Sequence, residues 1–382
     1  MMREGADVVV IGAGLVGLLI AAELAGRGLA VCVLERDRPG AHASGLNAGG
    51  LRTIGRHPAE LQLSQDAAVL WRHARDVIGP GAEMQETGHL LIAETEAEVA
   101  LLDTHWAALQ TAGLHIAERL EAGAIARLVP AMRPIARFAL YAPRDGMADP
   151  AATVAAALAR ARGAGVNVRS GESVHRIMPR ADGLTVEAST CVIAAGCVVN
   201  AAGAFSGAVA ALVGEALPVR IEAPMAQRSS PAPILLGPVV QTIGRKLTLK
   251  QLPGGRMLLG GGHRGGIDLV TPMGIPIEVE AEANRATAID LFPALAAVAV
   301  EAVWAGLEGY TPDGLPVIGR SVVDSRMVHA AAFCGHGFQL APAIAPLVAD
   351  IVLGASVAAA LDAFRPDRFP ATPDVSDDVR AG

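Results

Sequence analysis

The chain has 382 residues, 52% of them hydrophobic, with 31 Lys and Arg against 38 Asp and Glu and a formal net charge of −7. That length points to two domains sharing an interface, and the apolar content is ample for a large core. An acidic balance without a basic cluster argues against nucleic acid and against an anionic membrane surface as partners.

The opening stretch "MMREGADVVVIGAGLVGLLIAA" imitates a signal peptide, but Glu4 and Asp7 precede the apolar run, so it is not expected to be a targeting segment. Residues 7–11, "DVVVI", suit a buried parallel strand, followed by "GAGLVG" at 12–17, a helix to about Arg27, a break at Gly28, and a second strand "AVCVLE" ending at Glu35. This is the strand–turn–helix–strand pattern of a dinucleotide site. Gly12 allows the tight turn, Gly14 lets backbone approach a pyrophosphate, and Gly17 lets the helix pack on the strand, with Leu15 and Val16 between them. The helix N-terminus favours phosphate charge. Glu35, with Arg36 beside it, is placed at a ribose diol, which disfavours a 2′-phosphorylated ribose. The pattern alone fits either NAD or FAD.

Past the second strand, "SGLNAGGLR" at 44–52 supplies small residues that can lie flat against a ring system: Ser44, Asn47, Ala48, Gly49 and Gly50, with Arg52 directly after them. Residues 192–214 carry no charge over a length that could span a bilayer, yet glycine and alanine dominate and a strand followed by a helix fits as well. The segment 246–262, "KLTLKQL…RMLLGGG", reads as a hairpin turned at Pro253–Gly254–Gly255, with Thr248, Lys250 and Leu252 on one face. "WAGLEGYTPDGLPVIG" (304–319) and "FCGHGFQLAPA" (333–343) add two glycine-bearing loops. In the last, Cys334 invites a catalytic thiol, while its glycines suit a backbone cradle and Pro342 suits the first turn of a helix from about 343. The four cysteines, Cys32, Cys191, Cys197 and Cys334, show no metal-type spacing, and no metal is expected.

In this order "GAGLVG", "SGLNAGG", "DGMADP" (145–150), "VVNAAGA", "LLGGG", "TPDGLPVIG", "GHGFQLAP" and "FRPDRF" resemble, nearly end to end, the D-amino-acid oxidase (DAO) family of flavoproteins, in the branch of glycine oxidase and sarcosine oxidase β-subunit-like enzymes. The resemblance implies an α/β (α+β overall) fold: a Rossmann-like FAD-binding domain over 1–85, 150–215 and 305–382, and a mainly antiparallel-sheet substrate domain over 86–149 and 216–304. It places Val174 at the adenine, Ala202 and Gly203 at the pyrophosphate, and the loop of Gly335, His336, Gly337, Phe338 and Gln339 around the flavin pyrimidine. No cysteine stands at Gly306 or its neighbours, so the FAD is expected to be non-covalent; a second flavin attached through histidine stays open.

The resemblance further implies oxidation of the C–N bond of a small amine or N-substituted amino acid, by hydride transfer to flavin N5, with hydrogen peroxide formed where oxygen is the acceptor. Two alternatives remain: a dehydrogenase subunit passing electrons to a partner, and a flavin-binding relay subunit without turnover. Candidate substrate-facing residues are His336, Arg52, Lys250 and Tyr310. Glycine oxidase-like members carry an arginine after "AGL"; this chain has Glu308, which would repel a carboxylate and prefer a cationic nitrogen if it faced the pocket. His263 in "GGGHRGG" reads as a turn residue. The expected setting is a soluble cytoplasmic protein, as a homo- or hetero-oligomer.

Overall fold

The computed structural model describes residues 3–355, 357 and 361–369. Two eight-stranded sheets organise the chain. In the first, the strand Arg3–Ile11 lies at the centre because its run of valines is buried on both faces, as a parallel sheet demands. Val31–Glu35 and Val192–Asn200 pair with it in parallel on either side. Asn167–Ser170 extends the sheet beyond Val31–Glu35, and Met327–Ala331 beyond Val192–Asn200, with Val317–Arg320 antiparallel at that edge. The antiparallel pair Val174–Arg180 and Gly183–Ala188 joins through Val192–Asn200.

Helices Leu15–Gly26, Pro150–Gly163, Leu61–Trp71 and Gly337–Val352 pack together against this sheet. Two of their starts are written locally. Asp149 caps Pro150–Gly163 by accepting from the Ala152 N–H at 2.8 Å, and Pro150 stands where no N–H is needed. Leu15–Gly26 begins at Gly14 with no side-chain cap of its own, and its first N–H, on Leu15, is taken by the Ser44 hydroxyl.

The second sheet runs Val300–Ala305, Met225–Pro231, Arg256–Gly260, Thr248–Gln251, Val239–Thr242, His89–Ala93, Phe138–Ala142, Glu118–Glu121. Every neighbouring pair is antiparallel except His89–Ala93 with Val239–Thr242. One face buries Leu90, Ile92, Leu249 and Leu259 in a cluster with Phe292, while Thr248 and Lys250 point to the other. The mixed α/β architecture expected from the sequence is the one formed, and its first sheet follows the Rossmann-like order. The predicted third segment, 305–382, runs past residue 369 and so partly outside the described residues.

Residues 192–214 form a strand, Val192–Asn200, and a short helix, Ser206–Ala211. Among the described residues no helix is long and apolar enough to cross a membrane. The hairpin is Thr248–Gln251 with Arg256–Gly260, and Leu252 lies past the strand end. One expectation needs correction. The last long helix begins at Gly337 with His336 as its N-cap, so Pro342 and Pro346 lie inside it. The preference of proline for a first turn was outweighed by tertiary packing: Leu340, Ala341, Ile344, Ala345 and Val348 bury one continuous face in the first core.

Candidate active site

A cavity of about 680 Å³ runs between the two sheets. One end is built by the amino-terminal turn. A Cβ on Gly12 would stand 2.5 Å from the Ala201 carbonyl oxygen, and one on Gly17 2.1 Å from the Gly12 oxygen, so neither position admits a side chain. The Ser44 hydroxyl accepts from the Leu15 N–H at 2.9 Å and holds the "SGLNAGG" segment against the turn. Glu35 accepts from the Ala13 and Asp37 N–H groups at 2.7 and 2.9 Å, which fixes its carboxylate at the cavity wall. Gly14, Val16, Arg36, Ser44, Asn47, Ala48, Gly50, Val174, Ala202 and Gly203 also border the cavity.

At the other end, Ala332 (φ 50°) and Cys334 (φ 52°) are, among the described residues, the non-glycine ones held in left-handed backbone, followed by Gly335 at φ 86°. Strain concentrated in one loop is a signature of a functional segment. It turns the chain so that Gly335, His336, Gly337 and Phe338 border the cavity just where the helix starts without a side-chain cap. Trp71 Nε1 donates to the Gln339 carbonyl at 2.7 Å and pins that first turn. The positive end of the helix therefore meets the cavity. Gly306 and Tyr310 border the same end.

Four of the expected cofactor residues do not border the cavity: Leu15, Gly17, Gly49 and Gln339. They shape it from behind. Leu15 and Gly17 are buried in the helix, Gly49 (φ 66°) turns the segment on the Ala148 carbonyl, and the Gln339 amide donates to the Ser64 carbonyl at 2.8 Å.

Basic groups converge on one wall. Lys250, 1% exposed, donates to the Ala48 carbonyl, and burial pulls its amine down to about 7. Arg52 donates to the carbonyls of Ile54 and Gly55 at 2.9 and 2.7 Å. Its guanidinium is thus spent partly on its own loop, although the residue borders the cavity. Arg56, 3% exposed, reaches the Arg52 carbonyl and Gln339 Oε1 at 3.2 and 3.3 Å, and its Nη1 has no acceptor. Burial first, then repulsion from Arg52, draws it down to about 9.

His89, 1% exposed, lies 3.0 Å through Nε2 from Gln241 Oε1, and its Nδ1 is unpartnered. Burial and nearby cations lower it to about 3, so it is neutral and offers Nδ1 as an acceptor. His336 Nδ1 lies 3.0 and 2.9 Å from the two oxygens of buried Glu60. Burial, Arg56 and Arg52 hold this imidazole well below 6.5. As a neutral ring donating Nδ1–H to Glu60, it keeps an Nε2 lone pair.

Glu308 stands on the cavity wall; its carboxylate accepts from the Gly335 N–H at 2.8 Å and from the Tyr310 hydroxyl at 3.3 Å. Arg264 completes this corner, donating to Glu222 at 2.6 Å and to the Tyr310 oxygen at 3.2 Å. His263 is buried, with its Nδ1 2.6 Å from a Glu280 carboxylate oxygen, in the loop after Arg256–Gly260. The Cys334 thiol sits 3.4 Å from the Thr311 N–H and 3.3 Å from its hydroxyl, and burial raises it. A thiol kept protonated is not an activated nucleophile. Arg56, His89, Gln241 and Arg264 were missed from the sequence; they come from four separated segments and share no motif.

A glycine-lined turn with an acid at the end of the second strand on one side and an uncapped helix start on the other is what an extended flavin dinucleotide requires. The model of the DAO family, FAD dependent oxidoreductase, matches residues 7–351. The chain belongs to this family. Glycine oxidase from Geobacillus kaustophilus is 29% identical over 364 residues, covering 92% of this chain and 94% of that protein. An opine oxidase subunit from Rhizobium meliloti is 28% identical over 96% of this chain and 98% of its own. Among solved structures, L-proline dehydrogenase from P. horikoshii superposes with a TM-score of 0.88 at 25% identity, covering 96% and 98% of the two chains. The protein is an FAD-dependent oxidoreductase, and the closed turns at Gly12 and Gly17, the Glu35 carboxylate and the cavity volume fit that cofactor.

Proposed function

We propose that this protein oxidises the C–N bond of a small amino acid or N-substituted amino acid that carries a carboxylate. FAD, when bound, supplies the acceptor for the hydride leaving the substrate carbon. The protein's own work is orientation, and the observation that carries the reading is Arg56: a buried guanidinium at the cavity with an unpartnered Nη1. A buried donor without an acceptor costs stability, and a carboxylate entering beside it would complete its hydrogen bonds. Arg52 adds a second positive charge to the same wall, and the neutral His89 adds an acceptor for a substrate N–H or O–H. Lys250 is the amine of that wall whose charge changes near neutrality.

FAD is held without a covalent bond in this reading, by the turn at Gly12–Gly17, by Glu35, by the Ala202–Gly203 turn and by the loop Gly335–Phe338. The N–H groups at the start of Gly337–Val352 are offered to negative charge. The domain reading assigns the first sheet to the cofactor and the second, which carries Lys250, His89 and Gln241, to the substrate.

The test is an anaerobic panel on the FAD-loaded protein: glycine, sarcosine, proline, D-amino acids and N-carboxyalkyl amino acids, against the same amines lacking the carboxylate. A carboxylate-bearing amine should bleach the flavin. Equal bleaching by the decarboxylated amine would remove Arg56 from its role. A second reading, a dehydrogenase subunit that passes electrons to a partner chain, is favoured by the likeness to an opine oxidase subunit. It predicts that air fails to restore the colour of the bleached protein.

A further inference from the structure

The Glu308 carboxylate is half-buried, borders the cavity, and among the described residues has no Lys, Arg or His within ion-pair distance. The nearest cation, Arg264, is committed through Nε to Glu222 at 2.6 Å; it donates to the Tyr310 hydroxyl at 3.2 Å and attracts Glu308 from beyond ion-pair distance. Glu222 stands opposite Glu308 in the antiparallel pair Arg220–Glu222 with Glu308–Tyr310, so its charge adds repulsion. Two neutral donors, the Gly335 N–H and the Tyr310 hydroxyl, orient the Glu308 oxygens without neutralising them. A carboxylate on the cavity wall without an ion-pair partner is placed to take a cation from the cavity.

We propose that Glu308 receives the amine nitrogen of the substrate, binding it as the ammonium and then taking one of its protons. The inference rests on the C–N oxidation reading and names the group that prepares the amine. In the step, an N–H bond of the ammonium breaks and an O–H bond forms at Glu308 Oε2. The electron pair stays on nitrogen, and the neutral amine then carries the lone pair that assists loss of the adjacent hydride. Oε2 is the less engaged oxygen, since its bond from Tyr310 is 3.3 Å against 2.8 Å for Oε1 from Gly335. Tyr310 can turn its hydroxyl once Oε2 is protonated.

The groups facing Glu308 are Tyr310 on its own strand, Glu222 on the paired strand, Arg264 on the loop after Arg256–Gly260, and the Cys334 thiol beside Gly335. Burial dominates and raises the carboxyl above its usual range, which makes it a better base. Its charge, and with it the attraction for a cation, is present above that raised pKa and lost as pH falls through it.

Two ligands of one shape test the claim on the FAD-loaded protein: trimethylammonioacetate, with a fixed positive charge, and its carbon isostere 3,3-dimethylbutanoate. Calorimetry from pH 5 to 9 should find the cationic ligand bound about ten-fold tighter at the upper end, the preference shrinking as pH falls. Glu308→Gln should abolish the preference. Equal binding of the pair at every pH in the unmodified protein overturns the proposal without recourse to a variant. With whichever amine bleaches the flavin, Glu308→Gln should slow anaerobic reduction by about 100-fold at neutral pH and move its rise toward the pKa of the free amine. An unchanged pH profile also overturns it. Failure of the parent reading looks different: no amine bleaches the flavin at all, whatever the ligand pair does.

Discussion

Replacing Arg56 by methionine separates a binding role from a structural one. The side chain is 3% exposed, and its two hydrogen bonds, to the Arg52 carbonyl at 3.2 Å and Gln339 Oε1 at 3.3 Å, are long. Losing them costs about 1 kcal/mol each. Against that, methionine removes the unpartnered Nη1, which costs about 1–3 kcal/mol where it stands, while the repulsion between Arg56 and Arg52 that it relieves is set against the lost attraction to Glu60 and Asp145. The two sides offset, so Arg56→Met should leave unfolding free energy within about 1 kcal/mol of the parent. The effect on a bound carboxylate is one-sided. Truncating one partner of a buried charge pair costs about 3 kcal/mol, or roughly 100-fold in affinity. Urea unfolding and anaerobic titration with the bleaching substrate measure the two quantities on one preparation. A variant destabilised by more than about 3 kcal/mol with unchanged substrate affinity would refute the reasoning and make Arg56 a structural residue.

Gly17→Ala should yield folded protein that purifies colourless or loses FAD on dilution, because the new Cβ meets the Gly12 carbonyl oxygen at 2.1 Å inside the glycine turn; FAD content per chain is the readout. Lys250 is pulled down to about 7 by burial, so protonating it penalises the folded state. That penalty is complete below pH 7 and disappears as pH rises toward the unfolded value of about 10.5, so stability should climb over this interval, and Lys250→Met should flatten the climb in denaturation midpoints. Cys334→Ala should reduce its flavin within about three-fold of the parent rate, since the thiol is buried and protonated; a loss of about 100-fold would restore the catalytic-thiol reading.

The amino-terminal half of the site was legible because it is local. A turn that must pass under Ala201 and over Gly17 writes itself as three glycines between two apolar strands, and the acid that fixes Ala13 lies one strand away at Glu35. Lys250 was legible for a similar reason: strand alternation puts it and Thr248 on one face whatever else the chain does. The basic wall was not. Arg56, His89 and Gln241 come from a loop and two strands that pair in parallel across the second sheet, a contact that no spacing encodes. Pro342 misled for a physical reason too. Proline marks a helix start only when packing does not carry the helix through it, and here the apolar face from Leu340 to Val348 does. Glu308 was visible as a departure from its relatives, but its lack of a cationic partner depends on Arg264 being taken by Glu222.

The central claim is that a C–N bond is the one oxidised. It is tested most directly by mixing the FAD-loaded protein anaerobically with one equivalent of the amine that bleaches it and identifying the products. One equivalent should reduce one FAD and yield, after hydrolysis of the imine in water, a carbonyl compound and the freed amine or ammonia in equal amounts. Full bleaching with neither an imine nor a carbonyl formed at the carbon that bears the substrate nitrogen would contradict the account.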